Sequence, residues 1–297
     1  MIGAVDIGGT KFAVGMLTGS GQVLARLEAS SEPEEGLRAG LARINAMLQE
    51  TSKQSGGELE GIGIGCTGPV NPLTGEVGRI EFLPGWEGFN LAAEIQQVFG
   101  VTVALENDAD AAALGEFAWG AGQGSRRFIY LTVSTGIGGG IVIDGELYRG
   151  VEGAHPEIGH HVIDPRGPKC FCGAHGCWES LAGGLALARR ANRPTAHEAC
   201  AAAESGDPVA MEAVAREAEY LGLGIANLVT LYIPDVIALG GGVMQSRRLF
   251  WKKIERTVRE NCGLVPFELT RLIPASLGRD AGLAGAAQAW IQRFRKK

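Results

Sequence analysis

The sequence predicts a two-lobed α/β fold with a cleft between the lobes. Three observations carry that prediction. Short β-rich runs joined by glycine turns occur twice, over 3–17 and again over 128–143. Stretches of helical and strand character follow one another after each, and a Gly-rich polar stretch, Gly120-Ala-Gly-Gln-Gly124, separates the two series. The pattern places an N-terminal lobe at 1–120 and a C-terminal lobe at 121–280 with a metal-binding loop. A closing helix from about Ala281 is expected to pack back on the first lobe.

The elements can be justified in order. Gly3–Ile7 and Phe12–Leu17 are strands around the turn Gly8-Gly-Thr-Lys11, and a third strand runs from Gln22 to Leu27 after Thr18-Gly-Ser-Gly21. From Glu34 to Thr51 apolar residues recur at helical spacing (Leu37, Leu41, Ile44, Leu48), so a helix follows. Gly61–Gly65 is a strand ending in a Gly-Pro turn. A helix over Leu91 to Phe99, a strand at Val101 to Leu105 and an Ala-rich helix from about Asp108 to Trp119 complete the first lobe. The second contains strands at Phe128–Val133 and Gly140–Ile143, helices at Thr195 to Ala203 and Pro208 to Leu231, the strand Asp235–Leu239 and a helix near Arg247 to Glu260.

Composition narrows the function. The 297 residues are 45% hydrophobic and 20% charged, enough to bury a large core. The net charge of −6 comes without a basic block, which argues against a nucleic-acid partner and for a small molecule. The chain starts without the basic and apolar segments of a secretory signal, and its apolar runs are all shorter than the roughly 18 residues a membrane span needs. The expected location is the cytoplasm. Three of the six cysteines, Cys170, Cys172 and Cys177, fall within eight residues, a spacing that points to a metal and not to disulfides.

Three glycine clusters carry the chemistry. In Asp6-Ile-Gly-Gly-Thr-Lys11 the pair Gly8-Gly9 lets backbone N–H groups turn toward an anion, and Thr10 and Lys11 add donors. Thr132-Val-Ser-Thr-Gly-Ile-Gly-Gly-Gly140 repeats the theme with Ser134, Thr135, Gly136 and Gly138. Gly240-Gly241-Gly242 follows a buried-type strand, where backbone can approach a nucleotide closely. Together the three form the set expected of an ATPase domain of the actin and hexokinase type.

With these turns the chain resembles the ROK family of bacterial sugar kinases and repressors. Two further motifs carry the resemblance. Leu105-Glu-Asn-Asp108 is similar to the family's Glu-Asn-Asp motif, whose Asp is the catalytic base, although Asn107 or Asp108 could also cap the helix that starts there. Glu157-Ile-Gly-His160 followed by Cys170-Phe-Cys-Gly-Ala-His-Gly-Cys177-Trp-Glu179 is similar to its zinc signature. Three thiolates and one imidazole make a closed, structural site. The resemblance implies His160 as the fourth ligand, with His161 and His175 as competitors.

What the resemblance implies is an ATP-dependent sugar kinase that phosphorylates a hexose, first of all glucose, at C6, using Mg²⁺ and a structural Zn²⁺ and forming a homodimer. N-acetylmannosamine or N-acetylglucosamine kinase is the alternative. Asp6 lies near the Mg²⁺, and Asn107, Asp108, Glu157, His160 and Glu179 touch the sugar. The chain departs from family glucokinases at Cys66-Thr-Gly68-Pro69 and over Glu81 to Trp86, segments that in the family lie near the sugar; Gly68 therefore joins the expected contacts. A sugar-responsive repressor is disfavoured, because the first strand starts at residue 2 or 3, where a DNA-binding segment would stand.

Overall fold

The computed structural model describes residues 1–80 and 82–295, and separates into two compact units. Unit 1 comprises Met1–Gln123, Gly140–Pro156 and the chain from Leu277 onward; unit 2 comprises Gly124–Gly139 and Glu157–Ser276. The sequence pattern had run the second lobe without interruption from 121 to 280. Gly140–Pro156 instead belong with unit 1, because the buried partners of this segment lie there.

Unit 1 is built on a five-stranded sheet. Strands β1 (Ile2–Ile7), β2 (Lys11–Leu17), β3 (Val23–Ser30) and β4 (Gly61–Cys66), with helix α1 (Gly36–Ser55) between the last two, are followed by a small hairpin of β5 (Val70–Asn71) and β6 (Glu76–Val77). Helix α2 (Leu91–Phe99), strand β7 (Thr102–Asn107) and helix α3 (Asp108–Trp119) follow. The strand order is β3-β2-β1-β4-β7: the first three form an antiparallel meander, while β1, β4 and β7 run parallel. The parallel centre is apolar on both faces, which suits strands covered on both sides. One face carries the core of Val5, Ile62, Ile64, Leu105, Ile44, Leu48 and Trp86 beneath α1.

In register, Asp6 lies opposite Gly65, and Gly65 opposite Glu106. The end of β7 and the end of β1 are thus brought side by side. Asn107 ends β7 and caps α3: its Oδ1 accepts from the N–H groups of Ala109 (2.9 Å) and Asp110 (3.2 Å), satisfying donors that a helix start leaves open.

Unit 2 contains strand β8 (Arg127–Val133) and the start of β9 (Ile137–Ile143), whose far end forms a hairpin with β10 (Glu146–Leu147). Four helices follow: α4 (Trp178–Ala182), α5 (Gly184–Arg190), α6 (Ala196–Glu204) and α7 (Pro208–Tyr232). Helix α7 starts with Asp207 capping Ala210 and a proline at its first turn. Strand β11 (Val236–Gly240), helix α8 (Trp251–Asn261) and strand β12 (Arg271–Pro274) complete the unit, with β11 parallel to both β8 and β12. Helix α9 (Ala281–Phe294) then returns to unit 1 and packs with Leu283, Ala286, Ala287 and Trp290 against Ile2, Ala4 and Ala104. Among the described residues no helix is long and apolar enough to cross a membrane.

Candidate functional site

In unit 1 the site is assembled at the ends of β1, β4 and β7. The Gly8–Lys11 turn closes with Gly8 N–H donating to the Lys11 carbonyl at 3.0 Å. Asp6, just before it, has its carboxyl pushed up to about 7, first by burial and then by the charge of Asp108. The two carboxylates therefore compete for ionisation. Lys11 and Arg26 act the other way on Asp6 but are already committed. Lys11 Nζ lies 2.7 Å from Glu28 Oε1, and Arg26 bonds both Glu28 (2.7 Å) and Asp280 (3.0 Å). Lys11, read from the sequence as a donor for the turn, is paired with Glu28 on the neighbouring strand.

Asp108 occupies the first position of α3, where the helix N-terminus favours a negative charge, and its Oδ1 accepts from Ala109 N–H at 2.8 Å. Asn107 is fully employed: besides capping α3 it donates through Nδ2 to the Gly68 carbonyl at 3.2 Å. Gly68 stands in the left-handed region at φ 78°. Asn107 thereby ties the Thr67–Pro69 turn to the start of α3, and Thr67 N–H is bound to the Ile7 carbonyl at 2.8 Å. Of the 81–86 segment, Glu81 lies outside the described residues; Phe82 is exposed and packs on Gly9, whereas Trp86 is buried against Phe12.

Sequence reasoning missed a buried charged layer beside these residues. Glu106 is bonded to Arg149 at 2.6 Å, and Asp110, fully buried, lies with Oδ2 2.8 Å from His155 Nδ1. Burial raises the Glu106 carboxyl above its ordinary value and Arg149 opposes the rise. The only sequence signal is three acids, Glu106, Asp108 and Asp110, alternating across a strand–helix junction.

Unit 2 brings its predicted residues into one cluster. The turn between β8 and β9 closes with Ser134 N–H on the Gly136 carbonyl at 2.9 Å. Glu179, on the first turn of α4, accepts from Ile137 N–H at 2.8 Å through Oε2, and its carboxylate fills the space where a side chain at Gly136 would begin. The start of α5 docks on the same turn, with Gly184 N–H on Ser134 O (2.8 Å) and Leu185 N–H on Thr135 O (3.1 Å). Gly241, at φ 89°, lies against the Val133 backbone, where a β-carbon would be 2.6 Å from Val133 N. Ser134, Thr135, Gly136, Glu179 and Gly240–Gly242 thus meet in one place.

The candidate metal centre adjoins it. His160, Cys170, Cys172 and Cys177 offer ligand atoms that all lie within 4.8 Å of one another. His160 Nδ1 is 3.5 Å from Cys170 Sγ, and Cys172 Sγ is 3.5 Å from Cys177 Sγ. Three sulfurs and one nitrogen at this spacing suit a closed tetrahedral site. His161 does not join the cluster: its Nδ1 lies 2.6 Å from the Ile158 carbonyl and its ring packs on Trp178. His175 does not join the cluster. The other nitrogen of His160, Nε2, lies 4.0 Å from Glu179 Oε1, so one imidazole faces both the cysteines and the glutamate. Glu157 is exposed, and its carbonyl accepts from His160 N–H at 3.0 Å.

Comparison with known proteins gives a consistent result. The model of the ROK family matches residues 2–293. A glucokinase of Thermotoga maritima is 31% identical over 309 residues, covering 98% of this chain and 97% of its own. The crystal structure of a ROK hexokinase from Thermus thermophilus superposes with a TM-score of 0.90 at 36% identity, over 100% of this chain and 99% of the other. That of a ROK family glucokinase from Streptomyces griseus, in complex with glucose and AMPPNP, gives a TM-score of 0.82 at 34% identity, over 95% and 96%.

Proposed function

The chain belongs to the ROK family, and from that premise we propose that it is an ATP-dependent sugar kinase that transfers the γ-phosphoryl group to the C6 hydroxyl of a hexose, glucose first. One observation carries the reading most directly. A carboxylate, Asp108, is set at a helix N-terminus beside a second acid, Asp6, and next to the Gly8–Lys11 turn. Asp108 takes the proton of the sugar hydroxyl as it attacks. In unit 1, Gly8, Gly9 and Thr10 suit a phosphate; in unit 2, Ser134 to Gly138 suit a phosphate and Gly240 to Gly242 an adenosine. Phosphoryl transfer depends chiefly on positioning and charge stabilisation, so these backbone cradles matter as much as the base.

Two metals fit the residues present. Asp6, an acid without a committed cation, suits Mg²⁺, which would offset the charge of the phosphates. His160, Cys170, Cys172 and Cys177 suit a structural Zn²⁺. Glu157, Glu179 and the Nε2 side of His160 would then read ring hydroxyls, and His160 would orient toward Glu179 as zinc-bound imidazoles orient toward an outer partner.

The test is a coupled ATP assay on glucose, mannose, fructose, allose, N-acetylglucosamine and N-acetylmannosamine, run on the wild type and on Asp108→Asn. The expected outcome is turnover of at least one hexose and a loss of ~10²–10⁴-fold in the variant, with sugar affinity by calorimetry retained. No turnover of any of the six sugars ends the kinase reading. Substantial turnover by Asp108→Asn removes the base from its role.

A further inference from the structure

Glu179 sits on a helix that cannot hold its own place. Helix α4 runs only from Trp178 to Ala182, little more than one turn, and a helix that short has no stability of its own. Its position, and with it that of Glu179 and of Cys177 just before it, is set by what it packs on, chiefly α7 and α5. At its start the hold is steric. Trp178 is fully buried, its Nε1 donates to the Tyr220 carbonyl at 2.9 Å, and its ring lies so close to α7 that a β-carbon at Gly224 would be 2.0 Å from Cε2. Trp178 N–H also donates to the His161 carbonyl at 2.9 Å, beside His160.

At its end the hold is electrostatic. Arg190, in the last turn of α5, donates through Nη2 to the Leu181 carbonyl and to Glu217 Oε2, both at 2.6 Å, and through Nη1 to the Ala213 carbonyl at 3.4 Å. Its guanidinium lies 5.6 Å from the centre of the Tyr220 ring. Residues 213, 217, 220 and 224 are three or four apart, so one face of α7 carries both holds. Glu217 is fully buried, and among the described residues its second oxygen, Oε1, has no hydrogen-bond partner. Burial pushes its carboxyl up to about 8, although Arg190 opposes the rise. Such a pair is a poor source of stability, since apolar side chains of similar volume often do as well or better. What it adds is register. The guanidinium is satisfied only where the Leu181 carbonyl, the Ala213 carbonyl and Glu217 converge, which is one setting of α4 on α7, whereas an apolar contact tolerates a small slide.

We propose that Arg190 and Glu217 are positioning residues for Glu179: their pair, bonded to the last turn of α4, sets where the Glu179 carboxylate stands between Ile137 N–H and the His160 ring. Neither side chain has to touch the sugar. The inference rests on the kinase reading above, in which Glu179 reads a ring hydroxyl.

The double substitution Arg190→Met/Glu217→Met tests it, because it removes both charges together and leaves neither buried alone. The control is Arg193→Gln, which removes the 2.9 Å pair with Asp207 between the segment after α5 and the start of α7 and leaves α4 untouched. Each protein is read by thermal unfolding, by calorimetry with the sugar of the six that the wild type binds most tightly, and by amide exchange at Ile137, whose N–H rests on Glu179. The double variant is expected to melt close to the wild type yet bind the sugar ~10–100-fold more weakly, the range of one hydrogen bond to a charged group. Its Ile137 amide should exchange faster while those of β8 do not, and Arg193→Gln should match the wild type in all three. Unchanged affinity and exchange in the double variant, or the same losses in Arg193→Gln, overturns the proposal. If the double variant does not fold, Glu217→Gln and Glu217→Met decide: the glutamine still accepts from Arg190 and should keep the affinity and the exchange rate that the methionine loses, and equal values overturn the proposal. A wild type that neither binds nor phosphorylates any of the six sugars sinks the kinase reading separately. Ile137 exchange then decides the positioning role by itself: faster exchange in the double variant supports it, and an unchanged rate overturns it.

Discussion

The acids of unit 1 and the acid of unit 2 are held in opposite ways. Asp6 is buried near Asp108, its nearest cations are spent on Glu28 and Asp280, and its proton is retained to about pH 7. Glu179 is already bonded to the Ile137 N–H, with the His160 ring beyond its other oxygen. The difference teaches that the two clusters fail under different perturbations. Unit 1 holds two acids in conflict, and responds to pH. Unit 2 is satisfied as it stands, and depends on the loop that holds His160 and α4 in place.

The largest effect on this contrast comes from removing the metal. Purified protein is expected to carry close to one zinc per chain, and its loss to weaken sugar binding by ~10–100-fold, because His160 and the cysteine loop orient Glu179. The thiols of Cys170 and Cys177, which burial pushes up, must give up protons to bind, so loading should release protons and weaken toward acid pH. His160→Ala should lose the metal while His161→Ala and His175→Ala keep it, as metal analysis would read. Metal-free protein with intact sugar affinity would break the contrast, since unit 2 would then hold its acid without help.

The next effect belongs to unit 1. Mg²⁺ would bind Asp6 in its ionised form, so on the proposed function the affinity for Mg²⁺ and ATP should climb as pH rises toward 7 and fall roughly tenfold per pH unit below it. The sign for stability is the reverse. Between 3.8 and about 7 the folded chain holds a proton on Asp6 that the unfolded chain has lost, so ligand-free stability declines as pH rises through that window. Asp6→Asn should flatten both profiles. A calorimetric titration at pH 6, 7 and 8 with no slope would remove Asp6 from the cation.

Much of this was legible in the sequence, and the reasons are local. Glycine clusters mark turns wherever they fall, an Asn-Asp pair after an apolar run marks a capped helix, and the closely spaced cysteines meet in one loop. Three things were not legible. Lys11 pairs with Glu28 on the next strand, a partner that nothing nearby in sequence shows. The choice among His160, His161 and His175 depends on which imidazole the fold brings to the cysteines, and among the described residues it is His160 that lies with them. The buried pairs Glu106–Arg149 and Asp110–His155 join segments some forty residues apart, and with them the assignment of Gly140–Pro156 to unit 1 stayed hidden. Long-range ion pairs leave no periodicity to read.

The smallest expected effect concerns the choice of sugar, and it also belongs to unit 1. The Thr67–Pro69 turn is fixed at both ends, by Thr67 N–H on Ile7 O and by Asn107 on Gly68 O, so its shape is set by the same residues that start α3. Replacing Thr67 with proline would remove that N–H and cost about 1 kcal/mol with a shift of the turn, confusing specificity with stability. Thr67→Val is the cleaner probe. It keeps the backbone bond and the branched shape, and removes only the hydroxyl, which could bond the amide of an acetamido sugar. If that bond forms, the kcat/KM ratio of N-acetylmannosamine to glucose should fall by about 2–10-fold, the range of one net hydrogen bond. An unchanged ratio would move the discrimination off this turn and onto the Phe82–Trp86 segment, where Phe82 rests on Gly9 and Trp86 is locked against Phe12. In that case the first glycine turn would be coupled to sugar choice through packing, and unit 1 would set specificity by the fit of its walls.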